Sequence, residues 1–192
     1  MNPVESYFKT IHEIRSTGGA VPETSYYPAL ANLLDAVGAE LKPKVRCVSQ
    51  VASTGAGSPD FGLYSEDQFQ KTKDIEPMKG QMPERGVIEV KGLKDDTWIT
   101  AEGAQVSKYW GHYRQVLVTN YRDFVFLGQD DTGQQIKLET LRLAENEAEF
   151  HTRCMHPRIF AQNAGERLVE YLRRVMLNST PLAVSFSNSG LA

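Results

Sequence analysis

Residues 116–119, VLVT, are an unbroken apolar run, the pattern of a strand covered on both faces rather than one wetted on alternate residues. A chain carrying such a strand needs helices to cover its sheet, and this one has them. Just upstream, AEGAQVSKYWGHY (101–113) has helical spacing, with Val106, Trp110 and Tyr113 directed inward. Before it stand three strand patterns: KVRCVSQVA (44–52), PDFGLY (59–64) and GVIEVKG (86–92). After VLVT come DFVFLG, a QDDTGQQ turn and IKLETL as an edge strand.

Helices flank this series. Val4, Tyr7, Phe8, Ile11 and Ile14 define a first helix that Gly18-Gly19 ends. For a second, Ser25 is the expected cap and Pro28 falls in the first turn. Leu30, Leu33, Leu34 and Val37 form its apolar stripe, with Gly38 expected as the left-handed residue past the end. A long helix is expected over 157–177, with Ala164, Leu168, Tyr171, Leu172 and Val175 on one stripe. EDQFQKTKDIEPMKGQMPER reads as an exposed excursion between strands. With no internal repeat and no linker, one α/β domain with a helical C-terminal extension accounts for the chain.

Composition excludes several classes. The chain has 192 residues, and none of its apolar runs approaches the roughly 20 residues a membrane helix requires. MNPVESYFKT lacks the basic-then-apolar pattern of a secretory signal. Two cysteines, Cys47 and Cys154, do not make a disulfide framework, and a cytoplasmic location is expected. A net charge of −3 argues against a protein that coats nucleic acid non-specifically, while leaving room for a local basic patch.

The chemistry sits where apolar strands carry charge. Side chains alternate faces along a strand, so VIEVKG puts Ile88 and Val90 toward the core and Glu89 and Lys91 on the other face. Asp60 stands opposite to Phe61 and Leu63 in the same way. If the two strands are neighbours, Asp60, Glu89 and Lys91 converge. Two carboxylates and an ammonium suit Mg²⁺ and a phosphodiester substrate. Each motif alone is cheap: Pro-Asp is common turn chemistry, and Glu40-Leu41-Lys42 repeats the E-x-K spacing outside any apolar strand. The order and the apolar flanks together carry the reading.

Helix, strand, P-D strand, E-x-K strand, helix, strand resembles the PD-(D/E)xK nuclease superfamily. Gln105 and Tyr109, in QVSKY, match its Q-x-x-x-Y motif; spaced i, i+4, they are expected on one helical face opposite Val106 and Trp110. ETSYYPALANLLDAVG, GAGSPDFGLY, VIEVKG, QVSKYW and VLVTNYRDFVFLG, in that order, resemble the N-terminal nuclease region of single-chain restriction–modification enzymes of the methyltransferase-fused type (ISP, or IIG/IIL-like). The resemblance implies a restriction-endonuclease-like fold, a mixed central β-sheet flanked by α-helices in αβββαβ order, with a nuclease core over 1–150. Residues 151–178 would then be a helical extension or linker to a following domain, and 179–192 a flexible tail. It implies hydrolysis of double-stranded DNA with Mg²⁺, for which Mn²⁺ substitutes, leaving 5′-phosphate ends. Asp60, Glu89 and the backbone carbonyl of Val90 would hold the metal, Lys91 would be the catalytic lysine, and Gln105 and Tyr109 accessory. Glu23 matches an acidic position that often helps bind metal, although a carboxylate there also suits a helix dipole. Methyltransferase and target-recognition domains would lie elsewhere in the full chain or complex, and self-association would accompany double-strand cleavage.

The rival reading is a catalytically silent DNA-docking or autoinhibitory module on the same fold. Coincidence of motifs on an unrelated α/β domain is the other. His151, Cys154 and His156, in HTRCMH, lack a fourth ligand and read as a loop rather than a zinc site. Lys71, Lys73, Lys79, Arg85, Arg153, Arg158, Arg167, Arg173 and Arg174 are candidate phosphate contacts, though most such charges are only solvated.

Overall fold

A computed structural model describes residues 2–21, 23–69 and 79–178. Lys71, Lys73 and the expected tail over 179–192 lie outside the described residues. Helix α1 (Pro3–Ser16) begins where the Asn2 side chain accepts the Val4 N–H at 2.8 Å, and buries Val4, Tyr7, Phe8 and Ile11. A 3-10 turn (Thr24–Tyr26) leads into α2 (Tyr27–Ala39), with Pro28 in its first turn as expected.

Two expectations about α2 are corrected. Ser25 lies inside the preceding turn, where its Oγ accepts the Val21 N–H at 2.8 Å instead of capping the helix. Gly38 lies within the helix, not past its end. It is needed there for room, since a Cβ would fall 2.1 Å from the Val45 carbonyl oxygen on the first strand.

Six strands follow: β1 (Val45–Ser49), β2 (Phe61–Ser65), β3 (Val87–Val90), β4 (Val116–Thr119), β5 (Asp123–Gln129) and β6 (Gln135–Arg142). They form one mixed sheet in chain order, β1-β2-β3-β4-β5-β6. Every neighbouring pair is antiparallel except β3 and β4, which run parallel in the register Glu89 to Val118. A parallel pair demands a crossover, supplied by α3 (Thr97–Ala101) and α4 (Ala104–Tyr113). The single helix expected over 101–113 is thus two, with the break at Glu102-Gly103.

The sheet is covered on both faces, as VLVT required. Ile88, Val90, Leu117, Phe124 and Phe126 share one core with α1 and α2; Val87, Val116, Val118 and Val125 share the other with Val106, Tyr109 and Tyr113 of α4. Two more helices, α5 (Glu147–Cys154) and α6 (Pro157–Leu177), join the first core. Phe160 of α6 stacks on Phe8 with ring centroids 3.9 Å apart, and Leu168, Tyr171, Leu172 and Val175 are buried beside it. The edge strand expected at IKLETL is β6, and no described helix is long and apolar enough to cross a membrane.

Candidate active site

The site is built from the β2–β3 pair. Their register matches Phe61 with Ile88, so one step outward Asp60 falls alongside Glu89. The Pro59-Asp60 backbone is pinned from the β1 side: the Gln50 N–H donates to the Asp60 carbonyl at 2.6 Å and the Val51 N–H to the Pro59 carbonyl at 3.2 Å. Asp60 Oδ2 accepts the Val90 N–H at 2.7 Å, and Oδ1 accepts the Tyr27 hydroxyl at 2.5 Å. The Lys91 N–H donates to the Thr119 carbonyl of β4 at 2.9 Å, fixing the backbone from which its side chain leaves.

The structure brings Asp60, Glu89 and Lys91 together as the strand pattern required. Lys91 Nζ lies 2.6 Å from Glu89 Oε1. Glu89 is 3% exposed, so its face of the sheet is a second interior rather than an open surface. Burial pushes its carboxyl pKa up, Asp60 and Glu23 push the same way, and the bond to Lys91 only partly offsets them. Burial pulls the Lys91 ammonium down, but the bond to Glu89 and the charges of Glu89, Glu23 and Asp60 outweigh it, and its net displacement is upward. The lysine is therefore held as a cation beside an excess of acid.

Gln105 and Tyr109 are hydrogen-bonded, with Gln105 Nε2 3.0 Å from the tyrosine hydroxyl. They do not sit opposite Val106, however. Tyr109 is buried in the same core as Val106 and Tyr113, while Gln105 is exposed at the helix rim. The Tyr109 phenol is raised by burial, and the charges of Glu89, Asp60 and Lys91 all reach it. Its ring is roofed by the TGAG loop: Gly57 has φ +116°, and a Cβ there would stand 3.3 Å from Tyr109 Cε1. The loop is tied down by Thr54, whose Oγ1 lies 3.0 Å from both His112 Nε2 and the Tyr113 hydroxyl.

Glu23 precedes the 3-10 turn, and the Tyr121 hydroxyl donates to its backbone carbonyl. Its charge is felt at Glu89, Lys91 and Tyr27. Among the described residues, however, no three His, Cys, Asp or Glu side chains gather closely enough to hold a metal ion, so Glu23 does not complete a three-carboxylate cage. The set that does converge, two carboxylates beside the end of a strand, fits Mg²⁺, which is commonly held by one or two carboxylates with waters and substrate phosphate completing the shell.

Other candidates resolve elsewhere. HTRCMH is not a loop: His151 and Cys154 are buried on α5, where His151 Nε2 faces Glu147 at 3.6 Å, and no zinc set forms among the described residues. Glu40 of the second E-x-K is spent on Arg173 at 2.8 Å. Arg153, Arg167, Arg173 and Arg174 bond to carboxylates or carbonyls of their own chain, and Arg85 Nη1 to the Leu177 carbonyl. One site residue escaped the sequence: Tyr27. Nothing local marks it, because its partner is 33 positions away.

The fold is thus a mixed α/β one with helices on both faces of a six-stranded sheet. Among solved structures, a chain in a cryo-electron microscopy structure of a DrdV–DNA complex shares it, with a TM-score of 0.61 and 16% sequence identity over 93% of this chain. This chain spans 14% of that one, and at such identity the likeness concerns the fold alone. No family model matches the sequence, and no curated protein matches it.

Proposed function

We propose that this chain is a Mg²⁺-dependent endodeoxyribonuclease domain that hydrolyses DNA phosphodiester bonds and leaves 5′-phosphate ends. The observation that carries the reading is the convergence of Asp60, Glu89 and Lys91 on one strand pair, with a buried acid and a cation 2.6 Å apart. A buried carboxylate with an upward-shifted pKa, paired to a partly exposed lysine, is the kind of cluster that gathers at functional sites. Support also comes from the shared fold, since the DrdV protein of that structure is in complex with DNA.

Asp60, Glu89 and the Val90 carbonyl would hold the ion, with Glu23 lending charge from outside. Bound there, Mg²⁺ supplies Lewis acidity toward the phosphoryl oxygens and acidifies a water. The chain's own contribution is electrostatic. Lys91, kept protonated by its acidic neighbours, serves as a donor to the water or to the oxygens on which charge accumulates, not as the general base. Tyr109 and Gln105, hydrogen-bonded to each other beside the TGAG loop, would be accessory residues, with the phenol within reach of the charges of Glu89, Asp60 and Lys91. In a restriction–modification setting, methyltransferase and target-recognition domains would supply sequence choice, and two copies would meet on the DNA to cut both strands.

The test is cleavage of supercoiled plasmid with Mg²⁺ or Mn²⁺, comparing the parent chain with Lys91→Ala. Nicking or linearisation by the parent that vanishes in the variant is expected. If both proteins are inert and the parent also takes up no Mn²⁺ in calorimetry, the nuclease reading is wrong and a silent DNA-docking module replaces it.

A further inference from the structure

Asp60 is the acid at which the site is most constrained, and half of that constraint comes from outside the strands. Its Oδ2 is held by the Val90 N–H at 2.7 Å and its Oδ1 by the Tyr27 hydroxyl at 2.5 Å. The second distance is that of a charge-assisted O–H···O⁻ bond, about twice as strong as a neutral one. We infer that Tyr27 is a positioning residue for the proposed metal site, setting the orientation in which Asp60 presents its remaining lone pairs to a divalent cation. The inference rests on the nuclease reading and extends it to a residue that no motif contains.

Two features make Tyr27 suited to that role. It is the first residue of α2, and Pro28 behind it fixes the backbone dihedral of the first turn. Its ring is half-buried and packs on Phe61, the neighbour of Asp60, at 5.0 Å between centroids. The hydroxyl therefore approaches the carboxylate from a body that cannot swing away.

The turn carrying Tyr27 is itself anchored. The Tyr121 hydroxyl donates to the Glu23 carbonyl, Tyr26 meets the Tyr121 ring edge-on at 5.4 Å, and the Tyr7 hydroxyl donates to the Tyr121 carbonyl at 2.7 Å. Tyr121 lies two residues past the end of β4, so the turn before α2 is tied to the end of the strand beside β3. Hydrogen-bond partners behind a metal ligand typically govern affinity by 10- to 100-fold, because an unrestrained carboxylate must be ordered when the ion binds.

The experiment is Mn²⁺ titration by isothermal calorimetry on the parent, Tyr27→Phe and Asp60→Asn, with thermal unfolding of each. Tyr27→Phe keeps the ring on Phe61 and deletes only the donor. Its Mn²⁺ dissociation constant is expected to rise about 10- to 100-fold. In cleavage assays the same variant should need correspondingly more metal and regain most of its rate at saturation, a split that a mere loss of folding would not give. An Mn²⁺ affinity within twofold of the parent, with Asp60→Asn strongly impaired, overturns the role of Tyr27 and leaves the nuclease reading intact. Absence of Mn²⁺ binding by the parent overturns both.

Discussion

The Lys91–Glu89 pair should respond asymmetrically to loss of its two members. Glu89 is 3% exposed, whereas the Lys91 side chain is 28% exposed and touches water. Removing one partner of a buried pair costs roughly 3–5 kcal/mol, because the other is left charged without compensation. Lys91→Met strands the buried carboxylate, and a loss of about 3 kcal/mol is expected near pH 8. Glu89→Gln leaves a neutral amide in the interior and a lysine that can lean on solvent, so a change within about 1 kcal/mol is expected. The pH dependence follows from the sign of the shift. Burial, Asp60 and Glu23 already hold the Glu89 carboxyl above its ordinary 4.5, and deleting Lys91 removes the bond that opposed them. A carboxyl raised in the folded state binds more protons folded than unfolded, so stability falls as pH rises from about 4.5 through its folded pKa. The Lys91→Met deficit should therefore shrink on acidification, as Glu89 takes up a proton. Urea unfolding of the three proteins at pH 5 and pH 8 measures this. A larger loss in Glu89→Gln than in Lys91→Met, or a deficit equal at both pH values, would refute the argument.

Three further outcomes are expected. Gly38→Ala gains about 1 kcal/mol of helix propensity but sets a methyl against the Val45 carbonyl, and denaturant unfolding should show a net loss of about 1–3 kcal/mol. Phe160→Ala removes the ring stacked on Phe8 and should cost about 3–5 kcal/mol by the same assay, with α1 loosened in hydrogen exchange. Gly57→Ala, forced to φ +116° and pressed on Tyr109, should lose about 1–3 kcal/mol and shift the Tyr109 ring resonances.

The strands were legible because their signals are local. VLVT, DFVFLG and VIEVKG each declare burial within a few residues, and the alternation in VIEVKG correctly separated Ile88 and Val90 from Glu89. Helix α5 departs from the expected loop for an equally local reason: its buried stripe is only Phe150, His151 and Cys154, too short a run and with a polar histidine in it to declare an apolar face. A cap signal was available, since Asn146 is followed three residues later by Glu149 and its side chain accepts the Glu149 N–H at 2.9 Å. Ser25 failed as a cap because a hydroxyl can serve any nearby N–H, and Val21 offered one. Tyr109 is not opposite Val106 as expected: at 3.6 residues per turn it falls between Gln105 and the Val106–Tyr113 stripe, so it packs with that stripe while its hydroxyl meets Gln105. The Asp60–Tyr27 contact is of another kind. It joins the start of a helix to the start of a strand, and only the fold decides that these two ends meet.

The ladder between β2 and β3 is short, with Phe61 and Gly62 matched to Ile88 and Val87. Beyond it, the Asp60 carboxylate catches the Val90 N–H, so the side chain acts as one more rung. The first acid of the site is thus also a stitch in the sheet. An alanine there unpicks the edge of the β2–β3 seam as well as removing a proposed ligand, so any loss of the proposed activity would mix two causes. Asparagine keeps an oxygen for Val90 while discarding the charge, which makes it the cleaner knife. The amide proton of Val90 becomes a reporter of the site: its exchange with solvent tells whether Asp60 is in place, with no substrate needed.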